Sequence, residues 1–335
     1  MAETRRLASE AEFLSLVDKH FSNKHPHMAL GRGDDCAELI CPHDLCMTSD
    51  LFLEDVHFRT SYFSPRDIGW KALAVNFSDL ASAGAKPVGW NMNLMLPKDT
   101  SLGYVAALLQ GMAELAAQYD APLTGGDLSR ADKLGVSITA WGAPSSGRGF
   151  LRRNGGQVGD RLFLSLTREQ SLGLARVGLL DLEAAKGSPG GAAGSPAYPV
   201  SHAAHLRPAP LVELGRVLAQ TGVAVLMDVS DGLARDLPRL LGHERGLNLG
   251  AKIEIDTADL HPEVLAFAKA RGLDPVREAF LGGEDYLLLG ACSTHLLQVM
   301  LNRGMDVLPL GVITAGPGIT VNGQIFDLAG FDHFS

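Results

Sequence analysis

Apolar residues change period several times along the chain, and each change marks an element. Ser9 and Glu12 have the spacing of a capping box, and Phe13, Leu14, Leu16, Val17 and Phe21 continue at helical spacing, which predicts an opening helix. Residues 45–49 read as a strand, and residues 67–84 read as a helix closed by Gly84 with Pro87 just beyond. On that helix Trp70, Leu73, Phe77 and Leu80 form one apolar stripe, while Ala72, Asn76, Asp79 and Ala83 share a sector about 120° away. A solvated face normally carries long Lys and Glu side chains. The short residues here point to a functional role for Asp79.

Val88, Trp90, Met92, Leu94 and Leu96 alternate with Gly89, Asn91 and Asn93, the period of a half-buried strand, and Leu134, Val136, Ile138 and Ala140 repeat it. With an amphipathic helix over 101–119, the first half reads β-α-β-α-β, with Asp127 in a turn before the last strand. The Pro-, Ser- and Gly-rich connection at 143–149 divides a domain at 1–146 from one at 147–335. Beyond it come a strand at 161–166 and a Gly/Ala/Pro/Ser stretch at 186–201, read as a mobile loop within 184–204. A buried strand at 224–227 ends at Asp228, and Ser230 or Asp231 can cap a helix that Pro238 should kink or shift. Strands follow at 251–255, 286–291 and 307–313, then a hairpin with a type I′ signal at Asn322-Gly323.

A chain of 335 residues, 46% apolar, can bury two cores. Its net charge of −9, without a Lys/Arg cluster, excludes a nucleic-acid footprint. No run approaches the ~18 apolar residues of a membrane span, and Arg5, Arg6, Glu10, Glu12 and Asp18 interrupt any secretory signal. A soluble cytoplasmic protein is expected. Cys36, Cys41 and Cys46 lack zinc spacing and are expected to be buried and apolar.

Against this background, carboxylates sit repeatedly beside glycine or hydroxyl residues: Gly31-Arg32-Gly33-Asp34-Asp35, Thr48-Ser49-Asp50, Gly125-Gly126-Asp127, Asp228-Val229-Ser230-Asp231-Gly232 and Gly282-Gly283-Glu284-Asp285. Such sites suit Mg²⁺, which takes oxygen ligands and shares them with substrate phosphates. A Walker phosphate loop is absent, Cys36 stands where a dinucleotide fingerprint needs its third glycine, and Arg239 stands where a calcium loop needs Glu. No nucleophile-base set stands out among the eleven histidines. Phosphoryl transfer to an anionic oxygen needs no proton-removing base.

These segments, with Val56-His57-Phe58, the run from Trp70 to Ala81, and Leu206-Arg207-Pro208, resemble the thiamine-monophosphate kinase family of the aminoimidazole ribonucleotide synthetase superfamily. They span nearly the whole chain in order. The resemblance implies an α+β, two-domain fold. Its N-terminal mixed sheet, with helices on one side, would bind metal and nucleotide and form a homodimer; a C-terminal α/β sandwich would complete the active site. It implies ATP-dependent conversion of thiamine monophosphate to thiamine diphosphate by direct in-line transfer with several Mg²⁺ ions. By motif position, Asp35, Thr48, Ser49, Asp50, Asp79, Asp127, Asp228 and Asp231 would hold Mg²⁺. Gly126, Asp127, Arg153 and Ser230 would reach ATP, and His57 and Glu284 the thiamine phosphate.

Other readings stand beside these. Asp34 reads as a turn or cap residue, Asp285 as a brace for the Gly282-Gly283 turn, His57 as a satisfied interior histidine, and Arg152 is as basic as Arg153. Leu328 stands where the family often places a substrate-stacking Trp and lacks its π face; Phe331 is the nearby aromatic. A Mg²⁺-dependent phosphohydrolase or another ATP-using synthetase of the superfamily is the alternative function. Selenophosphate synthetase would need a reactive Cys near the N-terminus, and a hydrogenase-maturation dehydratase a cysteine tail, where this chain ends Phe334-Ser335.

Overall fold

Helix α1 (Glu10–His20) begins as its capping residues predict: Ser9 Oγ accepts the Glu12 N–H at 3.2 Å, while Glu12 Oε2 reaches back to the Ala8 N–H at 2.8 Å. The structure is a computed structural model that describes residues 5–32, 36–41, 44–167, 170–185 and 197–325. It divides into two units, Met1–Leu80 with Ala85–Gly147, and Ala81–Gly84 with Arg148–Ser335.

After α1 the first unit pairs short strands β1 (Met28–Leu30) and β2 (Glu38–Leu39), then continues through β3 (Cys46–Leu53), α2 (Pro65–Ser82), β4 (Ala85–Leu96), α3 (Leu102–Tyr119), β5 (Leu123–Arg130) and β6 (Gly135–Pro144). Its mixed sheet has the order β3-β6-β4-β5, with β4 and β5 parallel and the other pairs antiparallel. Thr48 lies opposite Ala140, which pairs with Trp90, and Asp50 opposite Ile138, which pairs with Met92. Directly paired residues share a face, so Thr48 and Asp50 stand on the face of Trp90 and Met92. The helices cover that same face. Thr48 bonds Asp79 on α2, and Phe21, following α1, packs edge-on to Trp90 with ring centres 5.4 Å apart. Helices α2 and α3 approach backbone to backbone, since a Cβ on Gly69 would fall 1.9 Å from Leu108 O.

Several boundaries differ from the sequence expectation. Helix α2 starts at Pro65, two residues early, because Ser64 and Asp67 cap it reciprocally: Ser64 Oγ accepts the Asp67 N–H at 3.2 Å and Asp67 Oδ2 the Ser64 N–H at 3.3 Å. Asp127 lies inside β5 rather than in a turn, opposite Asn93 of β4. The Gly125-Gly126 pair, which reads as a turn, instead lets two backbones approach closely: Gly126 has φ 151°, and a Cβ there would sit 1.7 Å from Met92 O. Cys36 and Cys41, either side of the two-residue strand β2, which offers no core to receive them, are exposed; Cys46, at the start of β3, is half-buried, and Cys292 is buried.

The second unit contains β7 (Arg161–Ser165), α4 (Leu174–Ala185), α5 (Pro199–Leu206), α6 (Val212–Thr221), β8 (Val225–Asp228), α7 (Leu233–Leu240), β9 (Leu249–Ile253), α8 (Pro262–Arg271), α9 (Pro275–Leu281), β10 (Leu288–Cys292), α10 (Thr294–Asn302), β11 (Val307–Ala315), β12 (Ile319–Val321) and β13 (Gln324–Ile325). One sheet of order β13-β12-β9-β11-β7-β10-β8 carries them, antiparallel throughout except between β12 and β9. Its core joins strand residues Leu164, Leu289 and Ile253 to helix residues Leu237, Phe267 and Phe280. The closing hairpin has left-handed Asn322 (φ 49°) and Gly323 (φ 78°), as a type I′ turn requires.

Two expectations fail here. Residues 186–196 of the expected mobile loop lie outside the described residues, but its end is helical: α5 begins at Pro199, whose fixed φ suits a first turn. Neither Ser230 nor Asp231 caps α7; Gly232 occupies that position at φ 91°, and Pro238 sits within the helix without moving its start. Asp236 accepts the Asp231 N–H at 2.9 Å, which ties the start of α7 back to the loop before it. No described helix is long and apolar enough to cross a membrane.

Candidate active site

In the first unit the functional residues divide by strand periodicity. Thr48 and Asp50 point to the helical face, where the Thr48 hydroxyl donates to Asp79 Oδ2. Burial, and then the nearby Asp79 charge, push the Asp50 carboxyl up to about 6. Ser49 faces the other way, donating to Ile138 O at 3.1 Å and lying 3.0 Å from Thr139 Oγ1. Asp127 also lies on that second face, exposed and accepting from Ser129 Oγ at 3.4 Å. Three strand spacings, roughly 14 Å, separate its strand from β3. The structure therefore gathers Thr48, Asp50 and Asp79, and leaves Ser49 and Asp127 apart from them.

The gathered set contains only oxygen donors. Among the described residues no three His, Cys, Asp or Glu side chains form a closed metal cage. Two carboxylates and a hydroxyl fit Mg²⁺, which is usually held by one or two carboxylates together with water and substrate phosphate. His57 is half-buried; its Nδ1 accepts the Leu53 N–H at 3.1 Å, and its ring stacks on Phe52 at 5.9 Å. Asp34, Asp35, Leu328 and Phe331 lie outside the described residues.

In the second unit two glycine-containing acidic loops interlock. Glu284 N–H donates to Ser230 O at 2.7 Å, Tyr286 N–H to Val229 O at 2.9 Å, and Val229 N–H to Leu287 O at 2.8 Å. A Cβ on Gly232 would fall 2.7 Å from Gly282 O, and one on Gly283 would fall 2.7 Å from Ser230 O. Glycine is thus required on both sides of the contact. It brings the segment of Asp228, Ser230 and Asp231 against that of Glu284. Asp228, 8% exposed, ends β8 opposite Leu288. Asp231 Oδ2 pairs with Arg239 at 2.6 Å, and the same guanidinium nitrogen reaches Asp236 Oδ1 at 2.9 Å. Asp236 is fully buried, which pushes its carboxyl up to about 6.

Asp285 does not brace the Gly282-Gly283 turn. Its carboxylate turns inward to accept the Gly173 N–H at 2.7 Å and the Ala175 N–H at 3.0 Å, at the free amides where α4 begins. Burial pushes it up to about 7 although both N–H groups favour the charged form. Arg152 joins Val225 through its backbone, and the side chains of Arg152 and Arg153 are both exposed.

Sequence reading missed three residues of this region: Asp236, Arg239 and His205. His205, on α5, is 1% exposed, with Nδ1 3.0 Å from Glu284 Oε2. The i, i+3 spacing of Asp236 and Arg239 was a legible signal; nothing in the sequence marks His205.

The family model described as "AIR synthase related protein, N-terminal domain" matches residues 33–143. A thiamine-monophosphate kinase of Synechococcus elongatus is 34% identical over 318 residues, covering 91% of each chain. The crystal structure of a thiamine-monophosphate kinase from Stenotrophomonas maltophilia superposes with a TM-score of 0.79 at 30% identity, over 95% of this chain and 98% of that one. The structure of AaThiL complexed with AMPPCP and TMP superposes with a TM-score of 0.74 at 28% identity, over 97% of each chain. The α+β, two-domain fold implied by the acidic motifs agrees with these matches, and the chain belongs to the thiamine-monophosphate kinase family.

Proposed function

We propose that this enzyme transfers the γ-phosphoryl group of ATP directly to thiamine monophosphate, giving thiamine diphosphate. The observation that carries the reading is the Thr48 hydroxyl bonded to Asp79, with Asp50 on the same face and close enough to feel the Asp79 charge, an oxygen-only, anion-rich set. A phosphate monoester has a second pKa of about 6, so the acceptor oxygen is mostly ionised at neutral pH and needs no base. AaThiL, which binds both AMPPCP and TMP, supports the same pair of substrates.

Thr48, Asp50 and Asp79 are proposed to hold one Mg²⁺, and Asp35, Ser49, Asp127, Asp228 and Asp231 to hold further ions, Ser49 and Asp127 from the other face of the sheet. Mg²⁺ held there would screen the charge between donor and acceptor phosphates. Asp231 must first loosen its pairing with Arg239. Gly126, Asp127, Arg153 and Ser230 are assigned to the nucleotide, and His57 and Glu284 to thiamine monophosphate, with Leu328 or Phe331 at its rings. Domains at 1–146 and 147–335, a cytoplasmic setting and a homodimer complete the reading. The dimer is supported by β3, an edge strand that exposes 73% of Met47 and 54% of Leu51 on the face away from the helices.

Incubation with Mg-ATP and thiamine monophosphate should give ADP and thiamine diphosphate in equal amounts. ADP without thiamine diphosphate would sink the kinase reading and favour a Mg²⁺-dependent phosphohydrolase. Asp50→Asn and Asp228→Asn should each abolish turnover in a folded chain; near-normal activity of either removes that residue from the metal set.

A further inference from the structure

We propose that His205 is the positioning residue of Glu284, holding its carboxylate in the orientation that receives thiamine monophosphate. The inference rests on the assignment of Glu284 to the substrate. Glu284 occupies an unusual backbone state, φ 64°, and Tyr286 two residues on is also left-handed at φ 50°. Such conformations are strained in non-glycine residues and persist only where surrounding contacts impose them. Here the backbone is imposed by the bonds of Glu284 N–H to Ser230 O and of Tyr286 N–H to Val229 O. Those bonds fix the Cα of Glu284 and leave the direction of its long side chain to side-chain contacts.

His205 supplies such a contact. Its Nδ1 lies 3.0 Å from Glu284 Oε2, and because a carboxylate only accepts, the ring carries a proton on Nδ1. The imidazole is itself immobile. Helix α5 is seated in a notch of α4 at Gly178, where a Cβ would fall 2.1 Å from Ser201 O and 2.9 Å from His205 Cβ. Glu263 on α8 accepts the Val200 N–H at 3.1 Å and the Ser201 N–H at 2.8 Å, anchoring the first turn of α5. His202 binds Asp181 of α4 at 2.9 Å. Three ties therefore converge on an eight-residue helix whose buried histidine presents one nitrogen to Glu284. The Glu284 side chain remains 29% exposed, so its carboxylate is held from inside and open outside. A fixed carboxylate suits thiamine on two counts: its charge attracts the thiazolium cation, and its oxygens accept from the aminopyrimidine amine.

The test compares His205→Leu, His205→Asn and wild type. His205→Leu should raise KM for thiamine monophosphate about tenfold, as expected for losing a hydrogen bond to a charged group, with KM for ATP within about twofold of wild type. His205→Asn, which keeps a donor near the Nδ1 position, should recover most of that loss. Equal effects on both KM values, or none in a folded variant, overturn the proposal. Histidine ring NMR of Glu284→Gln, which leaves His205 in place, should show a changed His205 Nδ1 signal; an unchanged signal overturns the pairing even if the position-205 variants fail to fold. Wild-type protein that makes no thiamine diphosphate defeats the kinase reading instead, an outcome visible before any variant is made.

Discussion

Asp285 makes the second unit's stability depend on pH in an uncommon direction. Its carboxyl is 3% exposed and is pushed from 3.8 to about 7 by burial, with the Glu284 charge adding to the rise and the Gly173 and Ala175 N–H groups opposing it. A raised carboxyl favours the neutral form when folded. Its stabilising contribution is therefore fully present below about pH 4 and is lost as pH rises through about 7. Between pH 5 and pH 8 the loss amounts to about 2.5 kcal/mol. Asp285→Asn keeps the shape and abolishes the titration. It also turns an NH₂ toward one of the two backbone donors, which costs about 1–3 kcal/mol at pH 5. The variant should be less stable than wild type at pH 5, and the gap should close at pH 8.

Intrinsic fluorescence cannot read this, because Trp70, Trp90 and Trp141 all lie in the first unit. Hydrogen exchange of amides around 170–180, corrected for intrinsic pH dependence, reports the right region. Parallel curves for wild type and variant between pH 5 and pH 8, differing in slope by less than about 0.5 kcal/mol, would refute the reasoning.

Two further substitutions probe the backbone devices. Gly126→Ala places a Cβ 1.7 Å from Met92 O at φ 151°, and should cost about 3 kcal/mol or more, lowering the fluorescence-detected melting temperature of the first unit by roughly 10 °C; a wild-type melt would show that β5 departs from β4 at this point. Asn322→Ala removes a side chain that accepts the Ile255 N–H and donates to Ile255 O, each at 3.0 Å, and puts alanine at φ 49°. A loss of about 1–2 kcal/mol is expected in hydrogen exchange of β12 and β13, with Asn322→Gly recovering the conformational part.

Local chemistry was legible in the sequence wherever it closed within a few residues. Ser9 with Glu12 and Asn322 with Gly323 each build their structure from neighbours, and the alternation at 88–96 states which residues of β4 face the helices. Glycine was misread where its use is tertiary. Gly125-Gly126 resembles a turn, yet β5 uses Gly126 to approach Met92 O. Residues 186–201 lack a helical apolar stripe, yet α5 forms because Glu263, Asp181 and the Gly178 notch hold it from outside.

The same distinction governs the site. Thr48, Ser49 and Asp50 form one motif in sequence, but a regular strand cannot aim consecutive side chains at one point, so Ser49 parts from its neighbours. Conversely, residues 228–232 and 282–286 are fifty or more positions apart and meet only because Gly232 and Gly283 permit backbone contact. Conformational freedom in those glycines is lost on folding, and the left-handed Glu284 adds a further cost. That combined cost is offset by three interloop backbone bonds and by the inward Asp285, which ties the second loop to the start of α4. Relaxing Glu284 to an ordinary conformation would break its bond to Ser230 O and carry its carboxylate away from His205, so the strain, the loop contact and the buried imidazole stand or fall together.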